Sequence, residues 1–123
     1  VGSRFVASDE ASSHPRFKDE VVKAEDGSTV LTLKEITPVR MLKNPFFRKI
    51  AALYEKGTDV EELKITLGRG RAKKGMFEGD LEEGELEIGQ IAGLINEVIP
   101  AAQIIDNLIV EYNQALKNLN DIY

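Results

Sequence analysis

Apolar residues recur at helical spacing in several stretches of this chain and alternate in one. Phe17, Val21 and Val22 fall on one face of a helix that Ser12 or Ser13 can cap, with His14-Pro15 in its first turn and an end near Ala24. Glu25-Asp26-Gly27 is a turn. From Thr29 to Leu33 the pattern becomes the alternation of a strand. Glu35 to Pro38 interrupts it, and Val39 to Leu42 can lie beside the first strand as its hairpin partner. Asn44-Pro45 is an N-cap followed by proline at the first helical position. Phe46, Phe47, Ile50, Ala51 and Tyr54 carry that helix to Gly57. Thr58-Asp59-Val60-Glu61 reads as a capping box for another helix, which Gly68-Arg69-Gly70 breaks. A short helix is expected from Arg71 to Phe77, stopped by Gly79, and an acidic turn from Asp80 to Gly84. Beyond Gly89, the wide stripe Ile91, Leu94, Ile95, Val98 and Ile99 predicts a buried helix face. Pro100 opens a last helix striped by Ile104, Ile105, Leu108, Tyr112, Leu116 and Leu119, roughly 30 Å long at ~1.5 Å per residue. The expected picture is mostly α-helical with one hairpin, without internal repeat or linker.

Composition narrows the function classes. With 123 residues the chain can build one domain with a real core. A net charge of −5 argues against general nucleic-acid binding, which needs a basic surface. The absence of cysteine excludes disulfides and thiolate metal sites and fits a reducing, cytoplasmic setting. One histidine cannot build a multi-histidine metal site. No apolar run reaches membrane-spanning length and no secretory signal is visible, so no membrane partner is expected. Val1-Gly2 reads like the end of a buried strand, which implies an upstream part of the protein.

The candidate chemistry lies at two glycines that each head an expected helix, Gly2 before Ser3 and Gly89 before Gln90. A helix N-terminus carries unpaired N–H groups and partial positive charge, so it suits a phosphate or another anion, and glycine lets the backbone come close. The amide of Gln90 can donate and accept, and could read the edge of a bound ligand. The plain alternatives are an ordinary strand-to-helix turn at Gly2-Ser3 and a polar helix-start residue at Gln90. His14 could serve as a general acid or base, but a surface histidine opening a helix beside Pro15 is the stronger reading. Arg69, Arg71, Lys73 and Lys74 form the one basic cluster, read first as a solvated helix face and second as a dock for an acidic partner. Glu78, Asp80, Glu82, Glu83, Glu85 and Glu87 lack EF-hand spacing and read as a solvated loop, with no metal site.

Five motifs appear in order: Gly2-Ser3-Arg4-Phe5-Val6-Ala7; His14-Pro15 with Phe17-Lys18; Pro38-Val39-Arg40 with Leu42-Lys43-Asn44; Glu78-Gly79-Asp80; and Gly89-Gln90-Ile91-Ala92-Gly93. Together they resemble the family of FMN-dependent enoyl-acyl carrier protein reductase II and nitronate monooxygenase (2-nitropropane dioxygenase), over nearly the whole chain. The resemblance implies an α/β TIM-barrel fold of which this is the carboxy-terminal segment. Residues 1–26 would hold the end of the last barrel strand and the last barrel helix, 27–98 a small helical and hairpin lobe at the active site, and 99–123 a carboxy-terminal helix. It implies FMN, with Gly2 and Ser3 giving backbone amides to its phosphate and Gly89 and Gln90 lying close to the flavin. NAD(P)H is the implied co-substrate, and an acyl thioester or a nitronate the substrate. The catalytic histidine is expected upstream, so none of the catalytic groups is expected in this segment. Acyl carrier protein could dock through Arg69, Arg71, Lys73 and Lys74, although Gly-Arg-Gly-Arg departs from the small apolar residues common there. Ile88 also departs from a commonly small residue. The rival from another class is a non-enzymatic helical interaction module whose terminal helix seals a homodimer.

Overall fold

The alternating stretch forms the expected hairpin. In the computed structural model, which describes residues 1–122, β1 (Thr29–Thr32) pairs antiparallel with β2 (Val39–Leu42), setting Thr29 opposite Leu42 and Thr32 opposite Val39. Leu33 leaves the strand with a φ of 54° and enters the core, 1% exposed. A third extended segment lies along β2: Leu42 N donates to Leu86 O at 2.9 Å, Ile88 N donates to Arg40 O at 3.2 Å, and Met41 faces Glu87. The segment that leads to Gly89 is therefore fixed by strand pairing.

The described residues also form five α-helices. α1 (Gly2–Val6) is one turn long, and α2 (Pro15–Lys23) buries Phe17 and Val21. α3 (Pro45–Lys56) starts at Asn44, whose Oδ1 accepts from Phe47 N at 3.0 Å, and ends on left-handed Gly57. α4 (Val60–Leu67) follows, and α5 (Ala101–Asn120) closes the described chain; Tyr123, the last residue of the expected terminal helix segment, lies outside the described residues. Two apolar clusters form. Phe17, Val21, Leu42, Leu86, Ala92 and Ile95 pack under the sheet edge with α2. Leu33, Met41, Phe46, Ile50 and Leu63 join the hairpin to α3 and α4. Among the described residues no helix is long and apolar enough to cross a membrane.

Val1 stands at the N-cap of α1. Several expectations need correction. The cap of α2 is His14, because the Ser13 hydroxyl is taken by Val6 O at 2.9 Å. The cap of α4 is Asp59, one residue later than expected, with Oδ1 accepting from Glu62 N at 2.8 Å, while Thr58 donates to the Glu62 carboxylate. The helix begun at Arg71 widens to π geometry over Lys73–Phe77, where Gly75 lies directly against the backbone of Gly84.

The largest departure is the stripe after Gly89. Only Gln90–Leu94 is helical, as a 3-10 turn, and the chain is extended from Ile95. Ile91 and Leu94 are 43% and 78% exposed, whereas Ile95 and Ile99 are buried. Three features oppose the α-helix: β-branched residues at four of the five stripe positions, glycines at both ends of the turn, and Pro100, which disfavours helical geometry at Ile99. Ile99 pairs instead with Ser8 in a parallel bridge, and Asp9 N donates to Ile99 O at 3.1 Å.

Candidate functional site

The two glycine-headed turns meet. Gly89 N donates to Ser3 Oγ at 3.0 Å across 86 residues of sequence. Gly89 has ordinary extended torsions, φ −71° and ψ 161°, so its backbone does not require glycine. The requirement is space: a Cβ there would stand 2.6 Å from Ser3 Oγ. Gly89 O then accepts from Ala92 N at 3.0 Å and starts the 3-10 turn. At its far end, a Cβ on Gly93 would lie 3.1 Å from the carbonyl group of Glu25, where α2 has just ended. Ala92, fully buried, packs between these contacts. Gln90, heading the turn, is exposed, and its side-chain amide makes no hydrogen bond among the described residues.

More links hold the opening residues to the same region. Arg4 Nη1 donates to Ala7 O at 3.2 Å and to Glu97 O at 3.1 Å. Glu10 Oε2 accepts from Ala101 N at 2.7 Å, placing a carboxylate at the start of α5, where the helix has no cap from its own neighbours. Lys18, 8% exposed, donates its Nζ to Ser8 O at 2.6 Å and Asp9 O at 3.3 Å. Beside α1 opens a cavity of about 430 Å3 walled by Val1, Arg4, Ile91, Leu94, Ile104 and Leu108. A larger cleft, about 520 Å3, lies between the end of α2 and the start of α3, and contains none of Gly2, Ser3, Gly89 or Gln90. Its three cations, Lys23, Lys43 and Arg48, face three acids, Glu20, Asp26 and Glu82.

The start of α1 has the donors an anion needs. Arg4 N is the first amide bonded within the helix, to Val1 O at 3.1 Å, which leaves the N–H groups of Gly2 and Ser3 without helical acceptors. A Cβ on Gly2 would meet nothing within 4 Å, and two free amides of this kind suit an anion.

The other singled-out residues are structural where the contacts are clear. His14 Nδ1 accepts from Arg16 N at 3.1 Å, His14 N donates to Met76 O at 2.7 Å, and the ring packs on Gly79. Arg71 is a strut: Nε donates to Leu67 O at 2.9 Å, Nη2 to Thr66 O at 3.0 Å and Nη1 to Glu83 O at 2.8 Å, with the guanidinium 4.6 Å from the Phe46 ring centroid. Lys73 and Lys74 pair with Glu78 and Asp80 at 3.7 and 3.6 Å. The expected solvated acidic loop is accordingly partly engaged. Asp80 Oδ1 accepts from Glu82 N and Glu83 N, and those backbone bonds, before the nearby Lys74, hold its carboxyl below the usual range. Hydrogen bonds from Lys49 and then Arg71 lower Glu83 likewise. Ile88, 6% exposed, belongs to the core beside Leu86.

Residues 1–111 match the family model described as nitronate monooxygenase. The chain belongs to the nitronate monooxygenase family. Among solved structures it is similar to FabK from Thermotoga maritima, at 35% identity and a TM-score of 0.87 over 98% of this chain and 38% of that one. A mutant of the same FabK matches at 37% identity and a TM-score of 0.80, over 98% of this chain and 36% of that one. The chain thus spans little more than a third of the FabK structures it matches. The likeness over that span supports the family fold, of which the described residues form a helical portion with a two-stranded antiparallel sheet.

Proposed function

We propose that the intact protein is an FMN-dependent oxidoreductase that reduces an enoyl-acyl carrier protein thioester with NAD(P)H. The observation that carries this reading is the Ser3–Gly89 hydrogen bond, which brings together two motifs of the family pattern that are far apart in sequence. In this reading the Gly2 and Ser3 amides bind the FMN phosphate at the open start of α1. In the same reading the Gln90 amide hydrogen-bonds the ring or the substrate carbonyl. Bound FMN supplies the hydride chemistry, and the protein supplies orientation and hydrogen bonds. The buried Lys18 ammonium and the Arg4 guanidinium hold the loop after α1, so that the amide pair keeps its place when an anion arrives. The likeness to FabK supports the reductase activity. The description of the family favours a second reading, oxidation of a nitronate with oxygen on the same flavin.

Purification of the intact protein tests both. Flavin absorbance with NAD(P)H oxidation that depends on an enoyl thioester supports the reductase; oxygen uptake driven by a nitronate supports the monooxygenase; a colourless protein that takes up no FMN refutes both. The phosphate contact has its own prediction. Gly2→Val places a side chain at the start of α1 and lowers FMN affinity at least tenfold, whereas His14→Ala removes a helix cap and the ring's packing on Gly79, costing about 1 kcal/mol or more of stability without touching the phosphate contact. Equal FMN retention by the two variants would contradict the assignment.

A further inference from the structure

The Ser3 hydroxyl can do more than fill the space left by Gly89. A hydroxyl accepts and donates at once. Ser3 Oγ accepts from Gly89 N, and its own proton has no acceptor among the described residues, so it remains available to a ligand. The other face of residue 89 is equally committed, since Gly89 O takes Ala92 N at 3.0 Å. Residue 89 is therefore held at both its N–H and its C=O, and the next residue is Gln90. Gln90 has an exposed side chain with no internal partner, so its direction depends on that backbone.

We infer that Ser3 is a positioning residue for Gln90. Its hydroxyl holds the backbone of residue 89 so that the Gln90 amide meets the flavin or substrate. The inference rests on the flavoprotein reading above and adds a mechanical link between two parts of the site. It also gives Gly89 a definite purpose. Alanine at residue 89 collides with Ser3 Oγ, but its Cβ would stand 3.7 Å from Ser3 Cβ, an ordinary contact. The collision disappears once the hydroxyl is removed.

The test uses the intact protein and the variants S3T, S3A, Q90A, S3A/Q90A, G89A and S3A/G89A. FMN affinity is read by titration, folding by the thermal melt of the apoprotein, and the turn by amide hydrogen exchange at Gly89. S3T keeps the acceptor and should bind FMN within about twofold of wild type. S3A and Q90A should each lose up to about tenfold, and S3A/Q90A no more than the worse single variant, because each removes the same positioned amide. S3A should also raise exchange at Gly89. G89A should melt below wild type, and S3A/G89A should melt above G89A. Multiplicative losses for S3A and Q90A would overturn the inference, as would unchanged exchange at Gly89 in S3A or the absence of rescue in S3A/G89A. If the wild-type protein binds no FMN, the flavoprotein reading fails, while the exchange and rescue measurements still decide whether Ser3 holds the turn.

Discussion

At residue 71 an arginine cannot be exchanged for another cation. The guanidinium donates to three backbone carbonyls and to Glu83 while stacking over Phe46, which demands a planar fork. Arg71→Lys should destabilise the protein by about 2–4 kcal/mol in urea unfolding, since a lysine reaches at most a subset of these acceptors. A loss below about 0.5 kcal/mol would mean the carbonyls find water instead. Glu85 poses the opposite case, a carboxyl with too little to compensate it. It is 6% exposed. Burial first, and then the hydrogen bond and charge of Glu87, push its pKa up to about 7, with Arg71 acting in the other direction. Unfolded, it would titrate in the ordinary range near 4.5. The folded state therefore binds more protons between these two values. The stability it contributes is complete below about pH 4.5 and is lost as pH rises through 7. Glu85→Gln should remove that slope, so that wild type loses roughly 2–3 kcal/mol relative to the variant between pH 5 and pH 8. Parallel melting curves for the two proteins across that range would refute the assignment.

Among the elements, the turn after Gly89 separates local signals from distant ones. As a helix interior, Gly93→Ala would stabilise by roughly 1 kcal/mol. In the observed 3-10 turn the new methyl presses on the carbonyl of Glu25, so the substitution should cost about 1–3 kcal/mol. The sign of the change in melting temperature decides between the two. The same contrast explains what could be read from the chain. α3 was legible because Asn44, Pro45 and Gly57 act within a few residues, and the hairpin because alternation and its Glu35–Pro38 interruption are equally local. The 3-10 turn was hidden because the apolar spacing outweighed the local signals against a helix, its glycines, β-branched residues and Pro100, and because the contacts that fix it, with Ser3 and the Glu25 carbonyl, come from far away in sequence. Cap choice failed for a related reason: Ser13 was drawn off by Val6 O, leaving the role to His14. At the site, residue types alone left Gly2-Ser3 and Gly89-Gln90 as two separate candidates. The order of the family motifs suggested that they belong together, and the Ser3–Gly89 bond supplies the physical connection.

For the molecule as a whole, the first ten residues are fastened to residues 89–101 through Ser3 to Gly89, Arg4 to Glu97, Ser8 to Ile99 and Glu10 to Ala101, and more locally through Ser13 and Lys18. Glu10→Ala should leave the start of α5 uncapped, at a cost of about 0.5–2 kcal/mol, with faster amide exchange in its first turn and little change in α3. Equal loss of protection in both helices would mean that Glu10 supports the fold globally. This closure also sets an order of assembly. The cluster of Leu33, Met41, Phe46, Ile50 and Leu63 can condense once the chain has been made to α4, because all its members lie within that span. The links from the opening segment to residues 89–101 close later, the longest of them spanning 91 residues. At a ribosomal rate of ~5–20 residues per second, that interval lasts on the order of 5 to 20 seconds. Synthesis halted before Gly89 would leave a polypeptide whose hairpin cluster can form but whose Ser3 lacks the Gly89 N–H it accepts from. The pair that heads the site, Ser3 and Gly89, can be joined only after the hairpin cluster has had the chance to form.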